Sequence, residues 1–358
     1  MGLASLDLTE FRSFPLAHFS PDPDGTTVLL APNGTGKTSI LEAVGYLGTG
    51  RSFRGASRDA MIRTGADDAF VRATVLDELR EVLVEAQLSR HGRSRVQVNR
   101  QPARTRRDLA DAVAVTTFAP EDVTVVRGGP SGRRDVLDDA LALVDASAGP
   151  LLEDVARVLR QRGALLRQLR GRLDASAEAT LDVWDDRLAS LGDDLARRRA
   201  QLVDSLSPGV AERYRTLAAA DVVVRLTYQP SWQGPLAIAL EAARDDDLRR
   251  SVSTVGPHRD DLLIEIDGRD ARSQTSQGEQ RSLAIAVRIA VHERVTEVRR
   301  RPPLLLLDDV FSELDAGRAE RLLGLLPKGQ TLLTTAVAPP PALADADVID
   351  IEAVRGGS

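Results

Sequence analysis

Of the 47 lysines and arginines in this chain, only Lys37 and Lys328 are lysine. A sequence that otherwise meets its need for positive charge with arginine keeps an ammonium at position 37. Such a site calls for a slim cation and not a broad planar guanidinium. Lys37 stands in Ala31-Pro32-Asn33-Gly34-Thr35-Gly36-Lys37-Thr38. Glycines at that spacing followed by Lys-Thr make a Walker A loop. The loop backbone cradles phosphates, the lysine reaches the β- and γ-phosphates, and the Thr38 hydroxyl holds Mg²⁺. The expected cofactors are ATP and Mg²⁺. Ala31 replaces the first glycine of the pattern, which is acceptable where the backbone has negative φ.

A carboxylate pair supplies the second half of such a site. Four consecutive leucines, Leu304 to Leu307, follow two prolines and end in Asp308-Asp309. A short apolar run of this kind suits a parallel strand buried on both faces, and open α/β sheets bind ligands at the carboxyl ends of their strands. Asp308 is assigned to Mg²⁺, through water. Asp309 is assigned to polarising the attacking water, and with Lys37 it makes up the catalytic set. The alternative is an aspartate pair that only caps a helix. Ser312-Glu313-Leu314-Asp315 reads as a helix cap or as a loop crossing a subunit interface.

A third stretch, Ser276-Gln277-Gly278-Glu279-Gln280-Arg281, opens an apolar helix. Ser276 and Glu279 have the spacing of a capping box. A cap does not need Gly278, and glycine inside a helix costs about 0.5–1 kcal/mol relative to alanine. Glycine at that point admits a close visitor, and at a helix N-terminus that visitor is an anion. Ser276 and Gly278 are therefore candidates for contact with phosphate.

The elements that must position these residues are legible in outline. Thr27 to Leu30 reads as a short buried strand. Ile40, Leu41, Val44 and Leu47 mark the apolar face of a helix starting near Gly36. Between the nucleotide motifs lies an Ala/Arg/Leu/Asp-rich stretch with helical spacing, in segments such as LLEDVARVLRQRGALLRQLRGRL and LDVWDDRLASLGDDLARRRAQLV. The expected fold class is α/β, a P-loop ATPase head with an inserted α-helical lobe. Its expected parts are residues 1–130 (Walker A and a basic hairpin), 131–250 (the helical lobe) and 251–358 (signature helix, Walker B and the following loop).

The chain has 358 residues, is 42% hydrophobic and 28% charged, and carries a net charge of −6. That charge does not suit a general nucleic-acid binder, so any DNA contact must come from local patches. No apolar run reaches the length of a membrane span, and the N-terminus has no secretory pattern. There is no cysteine, which excludes disulfides and thiolate metal sites. Residues 86–107 hold Arg90, Arg93, Arg95, Arg100, Arg104, Arg106 and Arg107 and no acid. VQVN alternates like a strand and Asn99 to Pro102 looks like a turn. The functional reading is a basic hairpin on duplex phosphates, and the alternative is a solvated face. A second basic run, Arg157 to Arg172, is a weaker candidate. With aromatics at 3%, stacking platforms for single strands are not expected.

The order of the motifs, a P-loop near the N-terminus and a signature helix about thirty residues before the aspartate pair, resembles the ABC-type ATPases. In these the signature Ser and Gly of one subunit face the γ-phosphate held by another. More specifically, the chain resembles the RecF family, bacterial recombination mediators related to the SMC-type ATPases. The matching pieces are LDLTEFRSF (6–14), the P-loop, RSFR (51–54), FAPEDVTVVRGGPSGRRDVLD (118–138), GPHRDD (256–261), SQGEQR (276–281) and LLLLDDVFSELD (304–315). The resemblance implies an ATP-dependent homodimer on duplex DNA at gaps and single-strand/double-strand junctions. It also implies slow, DNA-stimulated ATP hydrolysis and loading of RecA together with RecR and RecO. The expected setting is DNA repair, replication and the SOS response in the cytoplasm, on the nucleoid. Arg12, after the first strand, is either a γ-phosphate contact or a surface charge. GPHRDD is either a salt-bridged loop or a contact to the partner head or nucleotide.

The main rival is an ABC-type ATPase that drives a different protein or a membrane partner. Transport subunits carry a histidine on the strand after Walker B. Here that strand, QTLLTTA, has Thr334 and Thr335 instead. A small-molecule kinase would not need SQGEQR or SELD, and an intact Asp308-Asp309 pair favours slow turnover over a non-catalytic clamp.

Overall fold

The four-leucine run forms the strand Leu304–Asp308, buried at every residue and flanked on both sides by parallel neighbours. The computed structural model describes residues 2–77, 80–169, 171, 173–336 and 343–352. The parallel sheet has the order Asp347–Asp350, Thr26–Leu30, Thr331–Thr335, Leu304–Asp308, Val115–Phe118. A sheet covered on both faces needs near-continuous apolar strands. Val28, Leu29, Leu332 and Leu333 join the leucine run in supplying them, all fully buried. The register sets Asp308 opposite Thr334 and Thr334 opposite Leu29. One edge of this sheet thus gathers the start of the P-loop and the aspartate pair.

The helix after the P-loop spans Lys37–Thr49 and buries Ile40, Leu41, Val44 and Leu47 as its spacing predicts. It ends on Gly50, whose left-handed backbone sends its N–H back to the Tyr46 carbonyl. Gly48 lets it lie close to the sheet. A Cβ there would come within 2.6 Å of the Val113 carbonyl oxygen and 2.8 Å of the Val115 side chain. Against the same core lies an antiparallel sheet in the order Phe14–Phe19, Gly2–Phe11, Asp68–Asp77, Arg80–Ser89, Arg95–Val98, Gln101–Pro102. Its strands alternate: Ala69, Val71, Ala73 and Val75 point inward and are buried. Leu6, Leu8, Val71 and Val84 from this sheet join Leu41, Val44, Leu47, Leu306 and Leu332 in one apolar cluster. Truncating a leucine of that cluster to alanine costs about 2–5 kcal/mol.

The chain divides into two compact units. One comprises Met1–Asp122, Arg213–Ala220 and Ser282–Ser358, and the other Val123–Glu212 and Asp221–Arg281. The helical stretch expected over 131–250 falls in the second unit apart from 213–220. That unit contains the helices Pro130–Val144, Ala148–Leu169 and Leu236–Arg250 and most of Ala175–Ala218. It is not purely helical. Val224–Gln229 alternates buried and exposed positions and pairs antiparallel with Asp261–Ile266, which pairs with Arg269–Asp270. Its apolar clusters are small, one built on Val158, Leu188, Trp232, Leu236 and Leu240. A buried ionic network supplements them. Arg162, 0% exposed, donates to Asp185 at 2.6 Å, to Asp247 at 2.6 Å and to Ser253 at 2.8 Å. Removing one partner of such a cluster strands a charge and costs about 3–5 kcal/mol. Arg162 lies in the middle of the second basic run, and Arg157 in the same run pairs with Asp154. Two of its cations are thus spent inside the unit.

Candidate functional site

The strand Thr26–Leu30 delivers the chain into the loop at Ala31, whose N–H still bonds the Thr335 carbonyl at 3.3 Å. Ala31 is not among the residues with positive φ, so its Cβ meets no left-handed strain. Gly34 (φ 86°) and Gly36 (φ 102°) do take that conformation, which other residues rarely adopt. Gly36 also has no room for a side chain. A Cβ would lie 2.6 Å from Ser13 Oγ and 2.9 Å from the Phe14 ring. Thr35 braces the turn by donating to the Pro32 carbonyl at 2.8 Å.

The Lys37 ammonium turns back into this loop. It donates to the Ala31 carbonyl at 2.8 Å, the Pro32 carbonyl at 3.0 Å and Asn33 Oδ1 at 3.1 Å. Burial pulls its pKa down, and the carboxylates of Asp309 and Asp308 pull it up again. Thr38 Oγ1 donates to Asp308 Oδ1 at 2.9 Å, and Thr334 Oγ1 donates to the same oxygen at 2.8 Å. Burial raises the Asp308 pKa, opposed by these two hydroxyls and by the more distant field of Arg54. Asp309 stands in left-handed conformation (φ 47°) and donates its N–H to Thr334 Oγ1 at 2.9 Å. Thr334 thus sets both aspartates. Its spacing in the sequence marks Thr334 only as a position without the transport subunits' histidine; its role requires the neighbouring strand Leu304–Asp308 beside it.

The donor set fits the expected group. A hydroxyl and a carboxylate already in contact offer two hard oxygens for Mg²⁺. Beside them an ammonium is held within a loop whose two left-handed glycines turn its backbone.

The signature stretch forms the start of the helix Gln277–Arg299. Ser276 N–H donates to Glu279 Oε2 at 2.7 Å and Glu279 N–H donates to Ser276 Oγ at 3.3 Å, a complete capping box. Gln280 Nε2 donates to the carbonyls of Ala271 and Arg272, at 3.1 and 3.2 Å, and fixes the loop leading in. Ser276 is exposed and Gly278 half-buried in the first turn. Ser312 Oγ and Asp315 are used locally: one donates to the Asp309 carbonyl at 2.9 Å, the other caps the helix Ala316–Leu325.

Arg12 is committed to an ion pair. Its Nε and Nη2 donate to the two oxygens of buried Glu42, both at 2.7 Å, and its Nη1 donates to the Ala60 carbonyl at 2.6 Å. Arg54, in the RSFR segment, is exposed, and its charge opposes the rise in the Asp308 pKa.

The basic hairpin exists. Arg95–Val98 and Gln101–Pro102 pair through a two-residue turn with Asn99 (φ 50°) and Arg100 (φ 66°) both left-handed, the geometry that closes a tight hairpin. Its arginines are not equivalent. Arg90 donates to the carbonyls of Ala66, Ile62 and Arg63 at 2.8, 3.2 and 3.4 Å, so it staples the strand end to a neighbouring loop. Arg107 pairs with Asp111 at 2.7 Å. Arg93, Arg95, Arg100, Arg104 and Arg106 are exposed.

GPHRDD is bonded to GPSGRR. Arg133 makes a bidentate pair with Asp261 at 2.6 and 2.9 Å, and Arg134 donates to the Asp260 carbonyl at 2.6 Å. Buried Asp260 accepts from Tyr228 and from the Ser231 N–H. Its two acidic residues are satisfied within their own unit.

Residues 2–338 match the family model for the RecF/RecN/SMC N terminal domain. The chain is similar to the DNA replication and repair protein RecF of Frankia alni, at 40% identity over 94% of each protein. The chain belongs to the RecF family. The RecF protein of Streptomyces avermitilis is 37% identical over 94% of this chain and 93% of its own. Among solved structures, one described as the recombination mediator protein RecF-ATP in the RecFOR pathway superposes with a TM-score of 0.87. It is 26% identical and covers 94% of this chain and 92% of that one. The Smc head domain from Pyrococcus furiosus, 18% identical with a TM-score of 0.56, covers 98% of this chain and 93% of its own and shares the fold. The fold is thus the ABC-type ATPase head of the RecF/SMC group. No helix among the described residues is long and apolar enough to cross a membrane.

Proposed function

We propose that this RecF-family chain is an ATP-gated DNA-binding protein of recombinational repair and replication-fork maintenance. The observation that carries the reading is the convergence of Lys37, Thr38, Asp308 and Asp309 at one sheet edge, with Thr38 and Asp308 in direct contact at 2.9 Å. Bound Mg²⁺–ATP would supply a polarised phosphoanhydride. Lys37 and the backbone of residues 31–36 hold the phosphates, and Thr38 and Asp308 hold the metal. Asp309 orients the attacking water. Ser276 and Gly278 meet the γ-phosphate from a second copy, so ATP favours a closed homodimer. Closure brings Arg93, Arg95, Arg100, Arg104 and Arg106 onto duplex phosphates, and slow hydrolysis reopens it.

The names of its relatives support the biological half. They are called DNA replication and repair proteins, and two solved neighbours are placed in the RecFOR pathway. The substrate is accordingly gapped or single-strand/double-strand junction DNA, with RecR and RecO as partners in loading RecA on the nucleoid, in the cytoplasm.

The test uses Asp309→Asn protein, which should bind ATP without hydrolysing it. Fluorescence anisotropy of a labelled gapped duplex is followed with and without ATP–Mg²⁺ at two salt concentrations. Tighter binding with ATP and steep weakening by salt support the reading. An unchanged signal would instead favour an ATPase that drives a different protein partner.

A further inference from the structure

We propose that the outer face of the antiparallel sheet holds one unpaired nucleotide of single-stranded DNA, with its base stacked on Phe70 and its phosphate at Arg95. This rests on the DNA reading above and adds to it a contact that paired bases cannot make. The register of the sheet builds the face. Thr9, Phe70, Gln87 and Arg95 stand directly opposite one another on four adjacent strands. Asp7, Arg72, Glu85 and Gln97 form the row beside them. Both rows point away from the side on which Ala69, Val71 and Ala73 are buried. Together they line a cavity of about 420 Å³, a size typical of small-ligand sites.

The first row carries the chemistry. Phe70 is 46% exposed, which leaves a large apolar surface in water. No second ring packs on it among the described residues. Leu16, opposite Thr9 on the next strand, is 68% exposed and extends the apolar end of the row. Arg95 closes the other end, exposed and without an ionic partner among the described residues. An aromatic content of 3% excludes an extended stacking platform, but one exposed ring takes one base.

The second row fixes the direction of the ligand. Arg72 pairs with Glu85 at 2.7 Å, so the middle of the row adds no net charge. Asp7, 2.7 Å from His18, is an acid on the strand Gly2–Phe11. Arg95 is a cation three strands away, on Arg95–Val98. A phosphate is repelled from the first of these strands and drawn to the last. Gln87 sits between ring and guanidinium, donates to Asp68 at 3.3 Å and puts no charge in the path. Phe70 and Arg95 lie two strands apart, about 10 Å at the backbone, close enough for a base and an arginine side chain to meet on one nucleotide. The strand of Arg95 also belongs to the basic hairpin, whose Arg93, Arg100 and Arg104 are exposed. These cations favour a polyanion over a neutral peptide as the occupant. A backbone held along the hairpin enters the face at Arg95.

The test uses the full chain with ATP–Mg²⁺ and the fluorescence anisotropy of three labelled probes. These are a blunt duplex, the same duplex with an oligothymidine tail, and the same duplex with an abasic tail of equal length. Wild type is expected to bind the thymidine-tailed probe about tenfold tighter than the abasic one, the scale of one base–aromatic stack. Phe70→Leu, which keeps an apolar side chain without the ring, loses that preference and binds the blunt duplex as wild type does. Phe70→Trp keeps it, and its indole emission is quenched by the thymidine tail and not by the abasic one. Arg95→Gln weakens both tailed probes alike. An undiminished preference in Phe70→Leu overturns the proposal and leaves the ring to a protein partner. No effect of Arg95→Gln on either tail also overturns it. If Phe70→Leu does not fold, the presence or absence of quenching in Phe70→Trp decides in the same way. If wild type binds none of the three probes, the DNA reading itself fails. Binding of all three with no preference for the thymidine tail removes this proposal alone.

Discussion

Thr38 and Asp308 are 270 residues apart in sequence and share a hydrogen bond of 2.9 Å. The contact exists because the helix after the P-loop packs on the sheet whose Leu304–Asp308 strand carries the aspartate. Everything proposed for the nucleotide site depends on that pairing.

Burial of Asp308, which the Thr38 and Thr334 hydroxyls only partly offset, makes metal binding sensitive to pH. Burial raises the Asp308 pKa above the ordinary 3.8, so the native state holds this proton more tightly than the unfolded chain does. Its contribution to stability is full below 3.8 and is lost as pH rises through the raised value. Mg²⁺ competes with the proton for the same oxygens, so metal-dependent nucleotide binding follows the opposite slope. On acidification it should weaken at a higher pH than an ordinary aspartate allows. Mg²⁺ titrations of nucleotide affinity across pH check this, and Asp308→Asn should abolish the dependence.

Ser276→Arg should leave nucleotide binding intact and block ATP-driven dimerisation. The exposed serine caps the helix while its backbone is held by Glu279, so a long cation there obstructs a partner without unravelling the loop. Sedimentation velocity with ATP–Mg²⁺ reads the outcome. Wild-type dimerisation by the variant would show that Ser276 is not supplied across the dimer.

The hairpin arginines separate into two groups. Reversing Arg93, Arg95, Arg100 or Arg104 to glutamate should weaken duplex binding and flatten its salt dependence by about one ion per lost phosphate contact. Arg90→Ala should behave differently. Its guanidinium serves three carbonyls, so the loss appears as a drop of about 1–3 kcal/mol in stability, with the salt slope unchanged. Paired urea melts and salt titrations distinguish the two.

His292 gives the fold an acid limit. It is 1% exposed, lies 2.6 Å from Thr116 Oγ1, and burial pushes its pKa down to about 4. A histidine held neutral contributes fully above its unfolded value of 6.5, and that contribution is lost as pH falls through about 4. The penalty accumulates over this window to about 3 kcal/mol. Urea midpoints should therefore decline between those limits, and His292→Gln, which does not titrate, should show a shallower decline.

Sequence alone was enough to locate the P-loop, the four-leucine strand, the capped signature helix and the hairpin. Each is written in neighbouring residues: glycines before Lys37, a leucine run before Asp308, Ser276 three residues ahead of Glu279, an alternating VQVN before a turn. Local spacing sets local backbone geometry, and its periodicity is readable without knowing what lies opposite. The same logic marked a charge-rich stretch as basic but could not say which charges were already spent. Only the tertiary structure decided that Arg90 staples carbonyls, that Arg162 is buried between Asp185 and Asp247, and that GPHRDD closes on Arg133 and Arg134. It likewise decided that Arg12 belongs to Glu42 and that Thr334 orders the two aspartates. An ion pair or a bridging hydroxyl is a relation between segments brought together by burial of their apolar faces. Its partner is chosen by three-dimensional proximity and by the cost of leaving a buried charge unmatched, and no single stretch of sequence carries that information.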